Sequence, residues 1–152
     1  MKFGSIAFTA SLLLAACGTE PSPLPPGAAP MTVLPDYATW WQSTEACSGL
    51  KGDFKSIEWF EVPGTSTFAS EAGTVVGLWT KVSGQNRITI AGDYIDNELV
   101  VRHEMLHALL SRSGHPTEYF VTRCGLTWAS WGAQNGGPTP AGTAVALGGN
   151  PD

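Results

Sequence analysis

The sequence predicts an α+β domain. β-branched runs are grouped between residues 56 and 92, apolar helical segments stand before and after them, and strands do not alternate with helices along the chain. At 152 residues with 43% hydrophobic content, the chain is long enough for one core and short for two. No internal repeat is visible. The formal charge of −5 and the absence of any Lys/Arg cluster exclude a phosphate-tracking surface, so no nucleic acid partner is expected. A monomer is expected.

From the N-terminus, residues 1–17 (MKFGSIAFTASLLLAAC) place Lys2 before an apolar run and small residues directly before Cys17, the layout of an export signal. The run is too short to span a bilayer. An ordinary secretory cleavage site is one reading. Leu14 to Cys17 (LAAC) also resembles the lipobox of bacterial lipoproteins. That resemblance implies a signal peptide over 1–16, lipidation of Cys17 and a domain held at the bacterial cell envelope by a lipid anchor. Gly18 stands where inner-membrane lipoproteins carry aspartate, which points to the outer membrane in a cell that has one. Residues 18–30 hold five prolines and two glycines, which excludes a helix or a central strand and makes 17–30 an extended tether. Residues 132–152 are rich in Gly, Pro and Ala with no charge before Asp152, a composition expected to be disordered. The folded unit should therefore run over 31–131.

Within that unit, residues 36–49 (DYATWWQSTEACSG) read as a helix with Asp36 as its N-cap and Gly49 as its stop. Residues 56–64 (SIEWFEVPG) alternate in part and end in a Pro-Gly turn signal, which suggests a strand. Residues 74–82 (TVVGLWTKV) and 87–92 (RITIAG) are β-branched runs separated by the turn-forming SGQN, and so read as a hairpin. From Glu98 to Arg112 apolar residues surround nearly the whole helical circumference, the pattern of a central, buried helix. Asp96 or Asn97 can cap it, and Gly114 with Pro116 can end it. A short helix over 117–125 (TEYFVTRCG) should follow and carry Cys124 toward the first helix. The six tryptophans, Trp40, Trp41, Trp59, Trp79, Trp128 and Trp131, read as core or rim residues.

Setting Cys17 aside leaves Cys47 and Cys124, one near each end of the unit. In an exported chain a disulfide is the economical pairing, against free thiols or zinc ligation. Neither cysteine has a second cysteine or a histidine two to four residues away, which argues against a thiolate zinc site.

All three histidines fall within residues 103–115. His103-Glu104-Met105-Leu106-His107 is an HExxH pattern. On a helix, positions four apart share a face, so both imidazoles can address one metal ion. Glu104 lies about 60° round the helix from His107, out of the ligand set but within reach of a water held there. Without an ion, the carboxylate and both imidazoles would merely be costly core residues. His115 would stand about 12 Å farther along a continuous helix, too far to share the ion. A reversal at Gly114, with Pro116 barring continuation, would bring it back. His115 is the first candidate for the third ligand, and Glu118 is the main substitute.

The HExxH helix, preceded by a hairpin and followed by a further ligand, resembles the zincin metallopeptidases. GHPTEYF (114–120) resembles the SprT-like and WLM-type minimal members, in which a third histidine opens the next helix and an aromatic residue comes shortly after it. The chain departs from the metzincin pattern, having Leu110 and Ser113 where that pattern needs glycine and histidine. The resemblance implies a zincin-like fold, with a small antiparallel sheet packed on a central active-site helix and helices flanking it. It further implies Zn2+ held by His103, His107 and His115, with Glu104 as general base in hydrolysis of a peptide or protein substrate through a zinc-bound water. Residues 87–92 would be the edge strand that holds extended peptide, and Tyr119 would be a packed aromatic rather than an oxyanion donor. The alternative is a zinc-binding lipoprotein without hydrolytic activity, a carrier or a structural module.

Overall fold

The computed structural model describes residues 24–71 and 73–130. The signal segment 1–16, Cys17 with the first part of the tether, Trp131 and the tail 132–152 lie outside the described residues. Among the described residues no helix is long and apolar enough to cross a membrane.

Helix α1 (Asp36–Ser48) buries Tyr37, Trp41, Thr44 and Ser48, a stripe spaced by three or four residues. Asp36 is not its cap. Pro35 already holds helical angles and takes the cap position, leaving Asp36 in the first turn, where its charge suits the positive helix end. Gly49 ends the helix in the left-handed conformation, at φ 75°, with its N–H donating to Glu45 C=O.

The main sheet has four strands: β1 (Ala29–Pro30), β2 (Ile57–Val62), β5 (Gly77–Val82) and β6 (Gln85–Ala91). Their spatial order is β1-β2-β6-β5. β1 extends pairing into the end of the tether, opposite Phe60 and Glu61. Its proline tolerates this because the strand lies at an edge. The hairpin β5–β6 turns on Ser83 and Gly84 alone, both at positive φ, so Gln85 and Asn86 belong to the strand.

The expected all-antiparallel sheet is corrected. β2 runs parallel to β6, so the sheet is mixed, and residues 87–91 lie in its interior rather than at an edge. The pairing of Ile57 with Asn86 through Val62 with Ala91 covers the side of β6 that the hairpin leaves open. The edge beside the helices is β5. Thr74 and Val75 leave the expected hairpin as well, joining β4 (Gly73–Val75) with β3 (Phe68–Ser70) in a separate pair. That pair covers the second face of the sheet, where Val62, Phe68, Val75 and Ala91 form a small cluster.

Ile57, Trp59, Trp79, Ile88 and Ile90 line the opposite face, against α1 and helix α2 (Glu98–Leu110). α2 buries Val100, Val101, Met105 and Ala108 against this core. Its other side packs Leu99 and Leu106 on Phe120, Cys124 and Leu126, so the helix is enclosed on both sides. Trp41, Trp59 and Trp79 are buried, while Trp40 and Trp128 are half-buried at the rim of the core.

The Asn97 side chain caps α2, accepting from Val100 N–H. The helix stops earlier than expected: Ser111, at φ 51°, makes the left-handed reversal, and Gly114 does not adopt positive φ. Ser111 and Arg112 donate to Ala108 C=O and His107 C=O, which satisfies the last turn without glycine. The segment expected as a short α-helix is a π-helix, Glu118–Arg123, whose Tyr119 C=O accepts from Cys124 N–H. Cys47 and Cys124 form a disulfide that ties this segment to the end of α1.

Candidate metal centre

His103 and His107 are both buried and point from one face of α2. The reversal at Ser111 brings His115, half-buried in the loop before the π-helix, onto the same point. The three Nε2 atoms stand 2.9 Å (His103 to His115), 3.2 Å (His107 to His103) and 3.2 Å (His107 to His115) apart. Three nitrogens at 2.0–2.1 Å from a tetrahedral ion would be separated by roughly 3.3 Å. The triangle is therefore of the right size for one ion.

The tautomers lead to the same reading. His103 Nδ1 lies 2.7 Å from Leu126 C=O, and His107 Nδ1 lies 2.8 Å from Arg112 C=O. A carbonyl only accepts, so both Nδ1 atoms carry the proton and both Nε2 atoms present lone pairs to the same point. At 3.2 Å, two acceptors repel unless a cation stands between them. Imidazole with its second nitrogen bonded to a backbone carbonyl is the usual support of a metal ligand. Burial pushes the His103 pKa well below the ordinary value, with His107 adding to the effect, and burial lowers His107 to about 4. Both rings are held neutral, the form that binds metal. Three such imidazoles can hold a metal ion.

Glu104 lies on the same helix and is 0% exposed. Neither of its carboxylate oxygens has a hydrogen-bond partner among the described residues. Burial raises its pKa well above the ordinary carboxylate value; the Trp79 backbone N–H draws it back without reaching hydrogen-bond geometry. That N–H lies on the outer side of β5, beyond which no strand pairs among the described residues. Ala91 N–H donates to Val76 C=O, and the antiparallel alternation then turns the backbone groups of Gly77, Trp79 and Lys81 away from β6.

Glu118 stands apart from the histidine cluster, its side chain 58% exposed and paired with Arg123 at 2.6 Å. Tyr119 lies under the Arg123 guanidinium, 5.1 Å from the ring centre, as a packed aromatic. Two further aromatic residues frame the site: Trp79, expected as a core or rim residue, and Phe120, one of two aromatics that follow His115. Phe120, on the π-helix, contacts all three imidazoles, and the Trp79 ring stacks at 6.2 Å on His107. In sequence Trp79 looks like an ordinary core aromatic, while the aromatic after His115 is marked only by the resemblance, which does not choose between Tyr119 and Phe120.

Compared with known protein families, curated proteins and solved structures, the chain matches none of them.

Proposed function

We propose that the chain is a small zinc metallopeptidase of zincin-like type, carried on a bacterial envelope lipoprotein through Cys17. The observation that supports hydrolysis most directly is Glu104. A glutamate enclosed on the helix that carries two of the three convergent imidazoles, with neither oxygen hydrogen-bonded among the described residues, is costly as a core residue and has a chemical use. A cation at the tripod favours the ionised carboxylate, reversing the effect of burial.

His103, His107 and His115 would hold the ion, and three imidazoles fit zinc with one coordination position left open. Zinc held there would polarise a carbonyl and bring the pKa of a water toward ~7. Glu104 takes a proton from the attacking water and hands it to the departing amide nitrogen as the C–N bond breaks. The outward N–H and C=O groups of β5, unpaired by any strand among the described residues, suit an extended peptide, which would pair as an added strand.

The test compares wild type and Glu104→Gln for bound zinc and for cleavage of casein. Zinc in both, with cleavage only in wild type, is the expected result. Equal cleavage by the two proteins would refute Glu104 as base. Zinc without cleavage in either would leave a carrier or structural module as the function.

A further inference from the structure

Phe120 is 0% exposed, and its ring centre lies 4.7 Å from His103, 4.7 Å from His107 and 4.8 Å from His115. The imidazole centres are themselves 4.7 to 4.9 Å apart. Four rings thus stand at the corners of a near-regular tetrahedron, three of them nitrogen donors and the fourth a hydrocarbon. An ion at about 2 Å from each Nε2 must lie on one side of the three rings or the other. On the Phe120 side it would press on the phenyl ring at roughly 2–3 Å from its centre and meet a hydrocarbon that donates nothing, whereas the opposite side is clear of that ring.

We propose that Phe120 is a positioning residue that floors the tripod, closing one side of the three imidazoles so that the open coordination position faces away from it. The π-helix makes this possible. Its wide turn sets the ring under the histidines while the same residue's C=O accepts from Leu126 N–H at 2.7 Å. Leu126 C=O in turn accepts from His103 Nδ1, so the side chain and backbone of Phe120 support the same ligands. The disulfide at Cys124 fixes the turn to α1. This inference rests on the tripod being a metal site and does not require that the site hydrolyse anything.

The test titrates the purified protein with Co2+ and follows its visible absorption, which is strong in four-coordinate sites and weak in five- and six-coordinate ones. Phe120→Leu and Phe120→Met keep apolar volume but lose the flat floor, and Phe68→Leu perturbs the core on the other face of the sheet. Both Phe120 variants should fold without metal, bind Co2+ more weakly by on the order of tenfold, and show a weaker, shifted band. Phe68→Leu should match wild type in both. Wild-type affinity and spectrum in the Phe120 variants would overturn the assignment, as would an equal loss in Phe68→Leu. If wild type binds no Co2+, the tripod and its floor fall together. Wild type that binds Co2+ yet cleaves no peptide removes the peptidase reading alone, and the spectra still decide Phe120.

Discussion

Gly77 lies against Glu104 so closely that a methyl group at position 77 would stand 2.7 Å from the carboxylate Oε1 and 2.9 Å from Cγ. The edge strand and the candidate base are thus fitted to each other with no space between them. Gly77→Ala must push the carboxylate aside within a closed core, at about 1–3 kcal/mol of stability. The tripod does not include position 77, so metal binding should be unchanged. Peptide cleavage should fall by on the order of a hundredfold, the usual consequence of displacing a reacting group by about 1 Å. Cleavage at the wild-type rate would show that Glu104 need not sit where the strand holds it.

The metal-free protein should lose stability in acid. The unfolded histidine value is about 6.5, and burial takes His107 to about 4, with His103 moved in the same direction. Between those values the unfolded chain binds protons that the folded chain refuses. The contribution is therefore fully present above pH 6.5 and is lost as pH falls toward 4, by up to ~3 kcal/mol for His107. Glu104 acts oppositely, since a raised carboxyl favours the fold at low pH and costs stability as pH rises above ~4.3. Thermal unfolding in chelator should show both effects. Glu104→Gln should gain on wild type as pH rises above ~4.3, and a difference that does not change with pH would contradict the buried carboxyl.

Both principal helices were legible because their signals are local: Gly49 stops α1, Asn97 caps α2, and apolar residues all round α2 announce burial. A turn within residues 83–86 was legible for the same reason, though not that Ser83 and Gly84 alone make it. Sheet order was not. The parallel pairing of β2 with β6 joins segments nearly thirty residues apart, and no periodicity within either strand encodes it. That pairing moved residues 87–91 from the expected edge to the interior and gave the edge to β5. At the site, the HExxH spacing was enough to put two imidazoles on one face of a helix, with Glu104 offset from them. The return of His115 depends on Ser111 adopting a conformation that sequence favours for Gly114. The resemblance marked an aromatic after His115, but the place of Phe120 under the imidazoles was not legible, because a π-turn and an α-turn share one residue pattern.

Breaking the disulfide should reach the metal site as well as the fold. Cys47 and Cys124 are 77 residues apart, and a loop of this length is worth about 4–5 kcal/mol in the chain-entropy model. The constraint also steadies the turn that presents Leu126 C=O to His103. The double Cys47→Ser, Cys124→Ser variant should unfold at lower denaturant and bind Zn2+ more weakly, by roughly tenfold. Unchanged affinity in a folded, less stable variant would confine the bridge to stability. Non-reducing peptide mapping that finds two free thiols in wild type would remove the premise.

The third ligand gives the most direct comparison between two nearby side chains. His115 Nε2 stands 2.9 Å from His103 Nε2 and 3.2 Å from His107 Nε2, while Glu118 is exposed and paired with Arg123. Removing His115 deletes a donor at the centre of the cluster. Removing Glu118 breaks a surface ion pair worth no more than about 1 kcal/mol. His115→Ala should therefore weaken Zn2+ binding by more than the ~10–100-fold typical of losing an outer hydrogen-bond partner. Glu118→Ala should bind as wild type does. Isothermal titration of the metal-free proteins separates the two, and the opposite ranking would hand the ligand role to Glu118. For that to happen the π-helix would have to rotate the Glu118 carboxylate inward, past Phe120 and against the disulfide that holds the segment to α1.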